Sequence, residues 1–99
     1  MELLGAERIA LARLEEGVVF LLLADGERLI YEKTLNELED RLLEARFYRV
    51  SRQALINLAA VESYRAGEGG GLELRLAGGY AQNVSRRRAR YLKLQLRQE

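Results

Sequence analysis

Arginine is the residue type in this chain best placed to do chemistry. Three arginines and no acid fall between Arg46 and Leu58, in RFYRVSRQALINL, and Arg86, Arg87 and Arg88 stand side by side ahead of Arg90 and Lys93. A guanidinium keeps its charge and presents a planar fork of donors, which suits a phosphate or the two acceptors on a guanine edge. Ser51 and Gln53, on either side of Arg52, can donate to or accept from a base or a phosphate.

Enzyme chemistry finds little to work with. The chain contains no histidine and no cysteine, which removes the usual general base near neutral pH, the commonest metal ligand and the thiolate nucleophile. No catalytic, cofactor-binding or metal-ligating residue is therefore expected. Glu15 and Glu16 read as turn residues, and Glu37 and Glu39, two apart on a helix, face different directions, so solvated acids are the simpler account. The GEGGG segment at 67–71 lacks the lysine and hydroxyl pair of a phosphate cradle and opens no helix, which predicts a hairpin turn.

The formal net charge of +1 conceals a division along the chain. Residues 1–45 carry eleven acids and five bases, net −6, whereas residues 46–99 carry eleven bases and four acids, net +7. A basic half of this kind predicts a polyanionic partner, nucleic acid first and an anionic membrane surface second. The alternative is that the two halves neutralise each other in the fold. The longest apolar run, GVVFLLLA, is far short of the roughly 20 residues that span a bilayer, and a cytoplasmic location is expected. With 48% hydrophobic and 31% charged residues, residues 1–99 read as one globular domain with a core of its own.

The elements that must position these arginines follow from periodicity. RIALARL alternates, Glu15 to Gly17 break it, and VVFLLL reads as a buried strand; Asp25-Gly26 then marks a tight turn into RLIY. The opening is thus a β-meander. TLNELEDRLLEARF reads as a helix, with Thr34 and Glu37 in capping-box spacing and Leu35, Leu38 and Leu42 on one face. FYRV, VESYRA, LELRL and GYAQNV read as further strands separated by glycine turns. SRRRARYLKLQLRQE closes the chain as a helix capped by Ser85, with Ala89, Leu92 and Leu96 facing the core and Arg86, Arg90, Lys93 and Arg97 alongside. Three arginines at a helix N-terminus oppose the macrodipole, and a docked anion would offset that repulsion. Their stems lying over apolar surface with the heads in water is the competing account.

This order of elements, with the block Phe47 to Val50, the triplet Leu55-Ile56-Asn57 and the string Val84-Ser85-Arg86-Arg87 after a hairpin, resembles the LytTR DNA-binding domain of bacterial two-component response regulators. The resemblance runs from about Ile9 to Leu96. It implies a mainly β fold with short helices, an elongated β-sandwich of small antiparallel sheets with one central helix and a C-terminal helix. It also implies a regulator that binds double-stranded promoter DNA, commonly at direct repeats occupied by two copies that pair weakly or only on DNA. Loops at one end of the family's fold enter successive major grooves and bend the duplex.

Carried onto this sequence, the three DNA-facing loops fall at Arg13 to Gly17, at Ser51 to Gln53, and at Arg86 with its neighbours. The resemblance then implies Arg13 in the first loop, Arg52 and Arg86 at guanine edges, Ser51 and Gln53 at bases or phosphates, and Arg87 and Arg90 on phosphates. The family commonly has histidine where Ser51 stands and serine where Gln53 stands, which implies a different base preference. A protein-interaction or antagonist module of the same shape, with weakened DNA contacts, is the alternative. Asn57 reads as structural, Phe47, Val50, Leu55, Ile56 and Leu58 as core, and Arg49 as either an ion-pair partner or a phosphate contact.

Overall fold

Two local signals organise the first half of the chain, and both are present in the structure, a computed structural model that describes residues 5–97. The first is tight turns. Strands β1 (Ile9–Glu15), β2 (Val18–Leu23) and β3 (Arg28–Tyr31) form an antiparallel meander. Glu16 and Gly17 have φ of 51° and 82°, the pair of positive angles that a two-residue hairpin turn demands. Asp25 Oδ1 accepts from the Glu27 amide at 2.9 Å and fixes the second turn.

The second signal is the capping box ahead of helix α1 (Leu35–Arg41). The Glu37 amide donates to Thr34 Oγ1 and the Thr34 amide to Glu37 Oε1, both at 3.1 Å. The helix is shorter than its sequence pattern predicts. At Leu42 the backbone leaves the helical region, with φ −107° and ψ 18°, and its amide is shared between the Leu38 and Glu39 carbonyls. Leu42 is buried there while Leu43 is 73% exposed, so another turn would bury little, and the chain must reach β4 by Phe47.

Strands β4 (Phe47–Ser51) and β5 (Ala54–Asn57) form a hairpin. The second of these was not expected as a strand. It pairs with β1, Leu11 opposite Ile56, and so completes a five-stranded sheet in the order β3-β2-β1-β5-β4. A single 3-10 turn, Leu58–Ala60, leads into β6 (Val61–Ala66), β7 (Leu72–Leu76) and β8 (Tyr80–Val84), a three-stranded antiparallel sheet, and helix α2 (Arg86–Arg97) follows. GEGGG is the turn between β6 and β7.

The five-stranded sheet is the middle layer. Ile9, Val19, Leu21, Leu23 and Leu55 pack with Leu35 and Leu38 of α1 on one face. Leu11, Leu22 and Ile56 pack on the other with Leu74 and Leu76 of the second sheet and Ala89 and Leu92 of α2. Because β1 is covered on both faces, Ile9 to Ala12 are all buried, and the alternation in its sequence separates two cores rather than core from solvent. Asn57, 5% exposed, donates from Nδ2 to the Ile9 carbonyl at 2.9 Å and accepts from the Ala59 amide at 3.0 Å. It joins β5 to β1 and caps the 3-10 turn, the structural role its sequence context predicts. The result is a mainly β sandwich of two small antiparallel sheets measuring 38 × 29 × 24 Å.

Candidate nucleic-acid interface

The β4–β5 turn consists of Ser51, Arg52 and Gln53, and Arg49 builds it from below. Arg49 Nε donates to the Ser51 carbonyl at 2.6 Å and Nη2 to the Arg52 carbonyl at 2.9 Å. Its Nη1 reaches Asn36 Oδ1 at 2.9 Å and Glu39 Oε1 at 2.8 Å on α1. Only 17% of the Arg49 side chain is exposed, so its charge serves the turn and the helix beneath it. Ser51 Oγ accepts from the Gln53 amide at 3.0 Å, and the Gln53 carbonyl accepts from Leu14 of β1 at 2.8 Å. The backbone is fixed while the Arg52 and Gln53 side chains project outward.

The start of α2 lies against this turn. Arg88 Nη1 donates to the Arg49 carbonyl at 2.9 Å, which ties the first turn of the helix to β4. Ser85 occupies the cap position with its Oγ 3.5 Å from the Arg88 amide, at the outer limit of a hydrogen bond. Tyr48, Val50 and Ser51 of β4 face Ser85, Arg87, Arg88 and Tyr91 across an open groove of about 530 Å³. Arg86 leaves the opposite side of the helix start and lays its stem across the β6–β7 turn, where a Cβ on Gly70 would fall 2.6 Å from its Cδ. Gly70 also has φ +85°, so glycine suits the position on both counts.

The family model for the LytTr DNA-binding domain matches residues 1–97. The chain belongs to this family. Its fold also matches a LytTr DNA-binding domain of a methyl-accepting/DNA response regulator from Bacillus cereus, with a TM-score of 0.77 and 17% sequence identity over 90% of this chain and 81% of that one. No curated protein matches the chain.

In this LytTR domain two groups of cations differ in how they are engaged. Arg8, Arg13, Arg28, Arg49 and Arg65 are each paired with a carboxylate. Arg52, Arg86, Arg87, Arg90 and Lys93 are exposed, and among the described residues none of these five has an ion pair or a side-chain hydrogen bond. These five lie on the β4–β5 turn and along α2, whereas Arg75, also exposed, lies on β7. No helix among the described residues is long and apolar enough to cross a membrane.

Of the residues expected from the sequence, Ser51, Arg52, Gln53 and Arg87 come together on one side, with Arg86 and Arg90 on the adjoining helix. Arg13 is placed differently. It lies inside β1, three residues before Glu16 of the Glu16-Gly17 turn, and donates to Gln82 Oε1 at 2.8 and 3.2 Å and to the Ala81 carbonyl at 2.8 Å, so it links the two sheets. Arg49 takes the ion-pair alternative that its sequence left open, and Arg88 is the organising residue that sequence reading did not single out. Arg49 meets carboxamide and carboxylate partners on α1, and Arg88 looks identical in sequence to its two neighbours.

Proposed function

We propose that this domain is the DNA-reading part of a bacterial transcription regulator, acting in the cytoplasm as the effector of a two-component response regulator. It binds double-stranded promoter DNA with the β4–β5 turn and the start of α2. Arg52 and Arg86 read guanine edges in successive major grooves, Ser51 and Gln53 add contacts to bases or phosphates, Arg87 and Arg90 hold phosphates, and the duplex bends to meet both elements. The observation that carries this reading is the clustering of unpaired cations beside a turn whose backbone is held rigidly. A DNA contact by Arg13 would break its hydrogen bonds to β8, so we assign it to joining the sheets.

Selection of bound duplexes from a random pool at about physiological salt tests the reading. Enrichment of a short motif, repeated at about one helical turn, is the expected result. With five cations engaged, log K falls against log salt with a slope of roughly −4 to −5. Folded protein that enriches no motif and shows a flat salt dependence would overturn the proposal and favour a protein-interaction module of LytTR shape.

A further inference from the structure

The glycine segment at 67–71 does more than reverse the chain between β6 and β7. Within it the Gly67 amide donates to the Gly71 carbonyl at 2.9 Å and the Gly71 amide to the Glu68 carbonyl at 3.0 Å. Gly71 lies so close to β8 that a Cβ there would overlap the Val84 carbonyl. The backbone of the turn is therefore fixed from within and pressed against the strand that leads into α2.

Arg86, the first residue of α2, runs along this turn. A Cβ built on Gly70 would meet three successive carbons of its side chain, Cδ at 2.6 Å, Cγ at 3.1 Å and Cβ at 3.7 Å. The stem thus lies lengthwise over a residue that has no side chain. The next two arginines are placed by other means: Arg87 lines the groove facing β4, and Arg88 is bonded to the Arg49 carbonyl. Three arginines that look alike in sequence have different supports, and that of Arg86 holds the stem without engaging the guanidinium.

An arginine that meets a base gives up the rotamer freedom of a long side chain. A stem already confined gives up less, and a fork held at one angle discriminates better between acceptors that fit it and acceptors that do not. A Cβ added at Gly70 must displace the arginine, because the turn backbone is held and the side chain is the softer partner.

We propose that Gly70 is a positioning residue for DNA recognition: its bare backbone aligns the Arg86 stem, so that the guanidinium is presented to its base in advance of binding. The inference rests on the reading of Arg86 as a base contact. Gly69 supplies an internal comparison. It too has positive φ, 64° against 85°, yet nothing lies within 4 Å of where its Cβ would stand. Alanine there strains the turn without touching the arginine.

Two measurements separate the seat from the base contact. In the chain without DNA, 15N relaxation of the arginine Nε–H groups should show Arg86 more ordered than Arg90. Gly70→Ala should bring Arg86 to the Arg90 level, and Gly69→Ala should leave it unchanged. On duplexes taken from the random-pool selection, the base position that Arg86→Ala relaxes should lose at least about fivefold of its discrimination in Gly70→Ala. Gly69→Ala should stay within about twofold of wild type. Adding Gly70→Ala to Arg86→Ala should change nothing further, and the salt slope should hold because no charge is lost. If circular dichroism shows Gly70→Ala unfolded, Gly70→Asn takes its place, since asparagine tolerates positive φ and still adds a Cβ. An Arg86 side chain as mobile in wild type as in the Gly70 variant, or full discrimination in that variant where Arg86→Ala loses it, overturns the proposal and leaves the base contact standing. An Arg86→Ala variant that relaxes no position overturns the base contact and the positioning role with it, even where the relaxation data show an ordered stem.

Discussion

Arg49 offers the sharpest test of how the interface is built. Arg49→Ala removes two hydrogen bonds to the carbonyls of Ser51 and Arg52, the ion pair with Glu39 and a solvent-exposed hydrogen bond to Asn36 that adds little. The Glu39 carboxylate is partly open to solvent, so the pair is taken as about 1 kcal/mol or less, and each carbonyl bond as about 1 kcal/mol. Folding stability should therefore fall by about 2 to 3 kcal/mol, read by urea denaturation, with a loss in Tm of roughly 10–20 °C. The turn then has to be ordered on binding. Fixing the backbones of Ser51 and Arg52 at about 1 kcal/mol each, the low end for such residues, weakens binding to the selected duplex by about 30-fold. Because the Arg49 charge is already engaged by Glu39, the salt slope should not change. Fluorescence anisotropy of labelled specific and random duplexes across a salt series makes the distinction. A slope shallower by about one unit, with equal loss on every sequence, would show that Arg49 is itself a phosphate contact and refute the reasoning.

Alanine at Arg52 or at Arg86 should cost about 1–3 kcal/mol of affinity and relax preference at one base position, whereas Arg90→Ala should weaken every sequence alike and reduce the salt slope by about one. Uniform loss for Arg86→Ala in the same anisotropy assay would remove it from the base readers. Asn57→Ala strands the Ile9 carbonyl away from solvent and uncaps the partly exposed Ala59 amide, so urea unfolding should show a loss of about 1–3 kcal/mol, while affinity for DNA under folding conditions stays within about twofold of wild type. The Thr34 backbone and hydroxyl donors hold the Glu37 carboxyl below its ordinary value of 4.5. Its contribution to stability is complete well above that value and is lost as pH falls through it and then through the lowered folded value, so the Tm gap between wild type and Glu37→Gln should be constant near neutral pH and close as pH falls below about 4.5. A gap independent of pH would mean that capping by the charged form is not what the residue contributes.

Signals confined to neighbouring residues were legible in the sequence. The Asp25-Gly26 turn, the Thr34–Glu37 capping box and the apolar stripe of α2 each depend on residues within a few positions, and each is found where the pattern puts it. β5 was not legible as a strand because Ala54, Leu55, Ile56 and Asn57 are all buried, which leaves no polar alternate to betray a period of two. The same central position explains why β1 is covered on both faces. The contacts of Arg13 and Arg88 were hidden for a different reason, and for Arg49 the same reason left the ion pair and the phosphate contact undivided. Arg13 meets Gln82 across 69 residues of chain, Arg88 meets β4 across 39, and Arg49 meets Glu39 and Asn36 across 10 and 13. Only the packed fold shows which arginines are spent on protein and which are left exposed.

The place of β1 beside β5 also governs how the domain is made. Leu11 pairs with Ile56, and Asn57 reaches the Ile9 carbonyl 48 residues back, so the middle layer cannot close until more than half of the chain is available. Closing a loop of that length costs entropy before any long-range contact returns it, which makes folding slow for a domain of this size. During synthesis the β1–β2–β3 meander emerges first with VVFLLL uncovered, and it waits through the whole of α1 and β4 for the strand that completes its sheet. That interval is when the nascent chain is most exposed to aggregation.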